Sequence, residues 1–376
     1  MLLLFALPLF AALLPEVQPA QALAIPPDSP RWELQGKAST AEYLGRKALL
    51  LDGGTATLKD FVLRDGVIDV DVATPAARGF FGIQFRDDGE ANAEWVYLRQ
   101  HKSGYPDAIQ YTPVLNTGLN WQLYNGPGFT GPVEIPRETW FHLRLELAGA
   151  QAKFYVKDMA TPALVMTDLK TGIQQGQVAL AVLTGATYFT NFEVHSTPAV
   201  VWQRYPPAMP AGTLTKWSVS PVYDALARNL EAPLSAAESK GMQWKDVEAE
   251  PPGLVVLYRY FAAPHPHVTF ANDFSKRLDP QPGMKLVYAR TRIDSEREQV
   301  KRLLLGYSDD VSVFLNGRIV YRGRSAQNFR DPGFLGIVNP ENDTLYLPLK
   351  KGQNELVLAL SELGGGWGFI ARLEKL

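Results

Sequence analysis

Residues 140–147 read Trp-Phe-His-Leu-Arg-Leu-Glu-Leu, with Phe141, Leu143, Leu145 and Leu147 on one parity and Trp140, His142, Arg144 and Glu146 on the other. Successive side chains of a strand point to opposite faces of its sheet, so this stretch is a strand with one face on a core and one polar face outward. The same pattern recurs upstream, where Phe81, Ile83 and Phe85 form one face and leave Gln84 and Arg86 opposite. A third strand brings Trp95, Tyr97, Arg99 and His101 onto one parity.

Outward from these strands, period-two patterning runs from residue 30 toward the C-terminus, broken at short intervals by Gly, Pro, Asn and Asp. That is the pattern of antiparallel strands in sandwiches. A Pro-marked segment at 198–212, holding Pro206, Pro207 and Pro210, reads as a stiff linker. The chain has 376 residues, more than one core usually supports. The expected fold class is therefore all-β, with two consecutive antiparallel β-sandwich (jelly-roll) domains at 30–197 and 213–376 after a signal peptide at 1–22. Short helices are expected near Tyr223–Asn229 and Ser235–Lys240.

The signal peptide rests on the apolar run Leu2 to Leu14, too short to span a bilayer, followed by Ala20-Gln21-Ala22, although no Lys or Arg precedes the run. It implies a secreted or periplasmic protein, and no later stretch is long enough for a membrane span. A formal charge of -2 offers no field to attract nucleic acid. The absence of cysteine excludes disulfides, thiolate metal sites and cysteine nucleophiles.

Several segments carry a resemblance to known families. Leu-Lys-Asp-Phe at 58–61, Gly-Val-Ile-Asp-Val-Asp-Val at 66–72, Gly-Phe-Phe-Gly-Ile-Gln-Phe-Arg at 79–86, Glu-Trp-Val-Tyr-Leu-Arg at 94–99, Thr-Trp-Phe-His-Leu-Arg-Leu-Glu at 139–146 and Thr-Asn-Phe-Glu-Val at 190–194 are similar to the concanavalin A-like lectin and glucanase jelly roll, in its laminin-G-like and keto-disaccharide-hydrolase-like branch. The C-terminal part resembles a galactose-binding-like β-sandwich through Gly-Tyr-Ser-Asp-Asp-Val-Ser-Val-Phe-Leu-Asn-Gly at 306–317, Leu-Lys-Lys-Gly-Gln-Asn-Glu-Leu at 349–356 and Gly-Gly-Trp-Gly-Phe at 365–369. Asn316-Gly317 between apolar strands marks a tight hairpin, because both residues tolerate positive φ. Such folds serve lectins, enzymes and adhesion modules alike, so fold alone assigns no activity.

If the polar faces share a sheet, they form one surface suited to carbohydrate: guanidinium, imidazole and amide groups bond hydroxyls while aromatic rings stack on pyranose faces. The candidate ligand-binding residues are Gln84, Arg86, Tyr97, Arg99, His101, His142 and Arg144, with Gln110, Tyr111, Trp121 and Tyr124 from the long segment between His101 and Pro136. A solvated sheet face and a self-packed insertion are the alternatives. For Trp367 among Gly364, Gly365, Gly366 and Gly368, the readings are a stacking platform or a cap on the sandwich.

Catalytic signals are sparse. Elbow, zinc-helix and phosphate-loop motifs are missing, and Asp69, Asp71, Glu94, Asp107 and Glu146 cannot be paired from sequence. His265-Pro266-His267 lacks a third ligand, so no metal or cofactor is expected apart from structural Ca²⁺ at the oxygen-rich turns 87–90, 309–310 and 339–343. The expected partner is a carbohydrate or glycoconjugate, bound without catalysis. A glycan-acting hydrolase and an envelope protein-interaction scaffold are the rivals.

Overall fold

The computed structural model describes residues 22–262, 283–362 and 364–374. The apolar run at 2–14 and the His265-His267 pair lie outside them. Strands take 52% of the described residues and helices 5%, so the fold is all-β, built of antiparallel sheets.

In the N-terminal half the strands are β1 (Leu23–Ile25), β2 (Trp32–Tyr43), β3 (Arg46–Leu58), β4 (Gly66–Ala73), β5 (Phe80–Asp87), β6 (Ala93–Arg99) and β7 (Ile109–Leu115). They continue as β8 (Gly118–Leu119), β9 (Thr130–Gly131), β10 (Phe141–Ala148), β11 (Gln151–Val156), β12 (Leu164–Met166), β13 (Gln177–Thr184) and β14 (Thr187–Ser196). Among the described residues they form one sheet in the order β12-β11-β10-β4-β14-β3-β13-β5-β6-β7-β8, which folds over a core that includes Ile68, Val70, Phe81, Ile83, Leu143, Leu145 and Phe189. The parity reading of 140–147 holds, since Leu143 and Leu145 are fully buried while His142, Arg144 and Glu146 remain half-exposed.

The C-terminal strands are β15 (Lys216–Val219), β16 (Tyr223–Asp224), β17 (Lys245–Glu248), β18 (Leu254–Val256), β19 (Lys285–Ser295) and β20 (Gln299–Ser308). After them come β21 (Asp310–Leu315), β22 (Arg318–Arg324), β23 (Asp343–Leu349), β24 (Gly352–Glu362) and β25 (Gly368–Glu374). One sheet runs β17-β15-β19-β24-β21-β22 and another β18-β25-β20-β23. Leu303, Leu305, Val313, Leu358 and Phe369 fill the space between them. Asn316 (φ 51°) and Gly317 (φ 75°) make the expected turn between β21 and β22. The first expected helix is instead the short strand β16 and a 3-10 turn at Ala225–Ala227, whereas Ala236–Gly241 is helical behind a Ser235–Glu238 capping box.

No helix among the described residues is long and apolar enough to cross a membrane. Trp367 is fully buried, edge-on to Tyr258 and tilted against Phe261, as a cap on the second core.

Candidate functional site

The proposed single polar face divides in two. His142 and Arg144 lie on β10, and Trp95, Tyr97 and Arg99 on β6, with β4, β14, β3, β13 and β5 between them in the sheet.

On the β5-β6-β7 face, Tyr97 packs beside Gly82 and Ala181, and Trp95 stacks on Tyr97 at 4.2 Å. Both rings are almost fully buried. The Arg99 guanidinium sits over the Trp121 ring at 5.2 Å and donates to Asp107 Oδ2 and Gln110 Oε1, each at 2.9 Å. Gln110 is itself buried and donates to the Tyr124 carbonyl at 2.8 Å. His101 lies edge-on to Phe80, and burial, reinforced by the charges of Arg78, Lys102 and Arg99, lowers its pKa to about 4. Gln84 faces outward and holds Asp87 at 2.8 Å.

Two candidates stand elsewhere. Arg86 does not share the face of Gln84: the register skips it between Gln177↔Asp87 and Val178↔Phe85, and its φ of 50° marks a β-bulge that resets the alternation. Its side chain is turned inward and fully buried, bonding the Arg64 and Gly149 carbonyls. Tyr111 has core parity on β7, where its hydroxyl donates to buried Glu94 at 2.6 Å.

The long segment folds back and meets the C-terminal strands. Asn120 amide bonds the Pro113 and Gly118 carbonyls. Gln122 donates to Leu335 O at 3.0 Å and accepts from Ser308 Oγ at 3.0 Å, while Leu123 and Tyr124 join the second core. Tyr124 hydroxyl donates to Glu250, which also pairs with Arg259 at 2.7 Å. Buried Lys170 bonds Asp168 at 2.7 Å, and Asp168 also pairs with Arg204. Gln122, Leu123 and Tyr124 thus serve a contact between the two sheet systems, while Trp121 lies under Arg99. An aromatic- and amide-rich loop composition suits this contact as well as it suits a sugar.

On the β4-β10-β14 face the candidates remain accessible. Cross-strand register sets His142 opposite Asp71 and Arg144 opposite Asp69. The imidazole bridges both carboxylates, Nδ1 to Asp71 Oδ1 and Nε2 to Asp69 Oδ1, each at 2.8 Å. Arg144 Nε donates to Asp69 Oδ1 at 2.8 Å, and Arg46 Nη1 to Asp71 Oδ2 at 2.9 Å. Asn191, at a β14 bulge with φ 50°, donates to Asp71 Oδ2 at 2.8 Å. Cations and carboxylates thus alternate from Arg46 through Asp71, His142 and Asp69 to Arg144. The hydrogen bond to Asp69 raises the His142 pKa, and the hydrogen bonds from His142 and Arg144 hold Asp69 below its ordinary value despite burial.

Beside this line, three half-exposed rings meet. Tyr43 stacks on Tyr188 at 4.0 Å and lies edge-on to Trp140 at 6.2 Å, while Arg46 covers the Trp140 ring at 5.4 Å. Tyr43, Arg46, Tyr188 and Asn191 are outside the sequence-derived set: the β2-β3 hairpin tip carries the first two to this face through tertiary packing, and the pairing of β14 with β4 brings the other two.

The carboxylates considered for hydrolysis are all engaged: Glu94 by Tyr111 and Thr171, Asp107 by Arg99, Glu146 by Tyr155, and Asp69 with Asp71 by His142. Among the described residues no group of His, Cys, Asp and Glu is arranged to hold a metal ion. Asp88 Oδ1 accepts the Glu90, Ala91 and Asn92 amides, Asp310 pairs with buried Arg324, and Asn339 caps a 3-10 turn, so these oxygens have partners within the chain.

No protein-family model matches this sequence, and no curated protein matches it. Several solved structures align with part of this chain. The carbohydrate-binding module CBM66 from Bacillus subtilis is 17% identical with a TM-score of 0.35, over 44% of this chain and 96% of its own. A Bacillus subtilis protein of unknown function with a galectin-like fold is 13% identical with a TM-score of 0.37, over 47% of this chain and 97% of its own. Domain 4 of the extracellular arabinanase AbnA from Geobacillus stearothermophilus, solved with arabinotriose, is 17% identical with a TM-score of 0.29, over 47% of this chain and 82% of its own.

Proposed function

We propose that the protein is an exported, non-catalytic carbohydrate-recognising protein whose ligand face is the β4-β10-β14 surface at the Tyr43–Trp140–Tyr188 cluster. The observation that carries this reading is the junction of half-exposed aromatic rings with a fixed row of hydrogen-bonding groups. A pyranose stacks its apolar face on the Trp140 or Tyr43 ring, while Asn191, Arg46, His142 and Asp71 meet its hydroxyls. Because these groups already hold one another, little rotamer entropy is lost on binding. The second sandwich, from residue 213 onward, acts as an accessory module fixed by the Gln122 and Tyr124 contacts.

The hydrolase reading needs two carboxylates facing each other across a cleft at the spacing of a glycosidase pair. Asp69 and Asp71 instead share one imidazole on an open sheet face.

A glycan array probed with the full chain, run beside reducing-sugar release on the same glycans, tests the proposal. Binding without release is expected. Release would make the protein a hydrolase, and silence in both assays would favour the interaction scaffold.

A further inference from the structure

A second surface lies on the C-terminal sheet, where β17, β15, β19 and β24 line a groove of about 670 Å³. That volume is within the range of small-molecule and oligosaccharide clefts, roughly 300–1,000 Å³. The register Ser218↔Arg290 carries Lys216 toward Arg292 two residues further on, and the Thr291 hydroxyl bonds the Lys216 carbonyl at 2.8 Å across the same strands. Lys216, Arg290 and Arg292 therefore form a floor of three like charges on adjacent strands, flanked by carboxylates. Three carboxylates line the same groove, and the charges of Glu355 and Asp246 act on Arg290. Glu248 is the cross-strand partner of Lys216 and Glu355 that of Arg292, yet neither pair closes into an ion pair.

Arg290 is pinned, with its guanidinium 3.9 Å from the Trp244 ring centroid and Nη1 donating to Ser239 Oγ at 3.2 Å. Asp246, held by Ser218 at 2.7 Å, and Glu248 form one wall, and Glu355 stands on the other.

We infer that this groove binds an acidic glycan, a sugar chain whose carboxylate or sulfate groups seat on Lys216, Arg290 and Arg292 while its hydroxyls donate to Asp246, Glu248 and Glu355. Guanidinium forks match oxyanions in a bidentate manner. The three wall carboxylates repel a dense polyanion such as nucleic acid but accept hydroxyl protons, which selects sparse charge on a polyhydroxyl chain. This site is separate from the β4-β10-β14 face and does not depend on it.

The test titrates the full chain with a polygalacturonate oligomer, a heparin-derived oligosaccharide, a neutral galactan oligomer and a single-stranded oligonucleotide. Binding of at least one acidic sugar is expected, weakening with salt and losing at least tenfold in Lys216→Gln/Arg292→Gln, two exposed residues whose replacement leaves the core intact. Which acidic sugar binds identifies the anion. Trp140→Ala is expected to leave this binding unchanged, so failure of the groove and failure of the aromatic face are read separately. Absence of acidic-sugar binding, equal affinity for the oligonucleotide, or full affinity in the double variant overturns the inference.

Discussion

Arg86 separates a buried structural cation from a ligand contact. It is fully buried and its Nη2 donates at 2.7 Å to Gly149 O, 2.9 Å to Arg64 O and, at the longer distance of 3.4 Å, to Asp65 Oδ1, with Trp202 stacked at 4.8 Å. Asp65 in turn accepts the Gly149 amide at 2.7 Å and the Val200 amide at 2.8 Å, so the pair ties the β10-β11 turn and the segment near residue 200 to the entry of β4. Arg86→Met keeps much of the volume and removes the charge. Two short bonds from a charged donor contribute about 1.5–3 kcal/mol each. Relief of burying the unpartnered Nε and Nη1 offsets part of that. The net loss expected for breaking such a buried pair is about 3–5 kcal/mol. In a unit of this size it corresponds to a fall in Tm of about 6–20 °C at roughly 2–4 °C per kcal/mol. Calorimetry on Arg86→Met, Asp65→Asn and the double variant should give single losses that do not add, with a coupling of at least about 1 kcal/mol. Wild-type melting accompanied by lost glycan binding would refute the burial and return Arg86 to the ligand surface.

Two further outcomes are expected. His142 has a folded pKa raised above its unfolded value of about 6.5, so its stabilising protonation is complete below about pH 6.5 and is lost as pH rises through the folded pKa. Thermal melts across that range should decline in wild type and decline less in His142→Gln; parallel curves would contradict the two-carboxylate bridge. Gln122→Ala removes the bonds to half-buried Leu335 O and buried Ser308 Oγ, the latter keeping Asp309 as a partner, which should cost about 1–3 kcal/mol and split calorimetric unfolding into two transitions. An unchanged single transition would mean that the loop does not couple the two sheet systems.

Side-chain alternation made the β10 face legible from residues 140–147 alone, and turn chemistry made the Asn316-Gly317 hairpin legible. Both are local properties. Arg86 is misplaced by alternation because a bulge shifts parity by one residue, and the glycine that packs against the bulge, Gly176, is 90 residues away in sequence. Trp121 and Tyr124 have the composition of a binding loop, and only the tertiary arrangement shows Trp121 under Arg99 and Tyr124 against Gln110, Glu250 and the second core. Part of the aromatic cluster was hidden for the same reason: Tyr43 and Arg46 are 94–99 residues from Trp140 and His142, and nothing in their own strands marks them. His142 and Arg144 were readable as a polar pair, but their carboxylate partners on β4 depend on strand order, which alternation does not encode.

The affinity of Trp140→Ala for the glycan that binds the full chain best, measured by calorimetric titration with folding checked by melting temperature, decides whether the ligand sits on the aromatic face. A stacked ring contributes about 0.5–1.5 kcal/mol beyond the area it buries, and about 1.4 kcal/mol is tenfold, so a loss of roughly fivefold or greater at unchanged Tm is predicted once the buried area is added. Wild-type affinity in a folded Trp140→Ala protein would contradict the account and move the ligand away from this face.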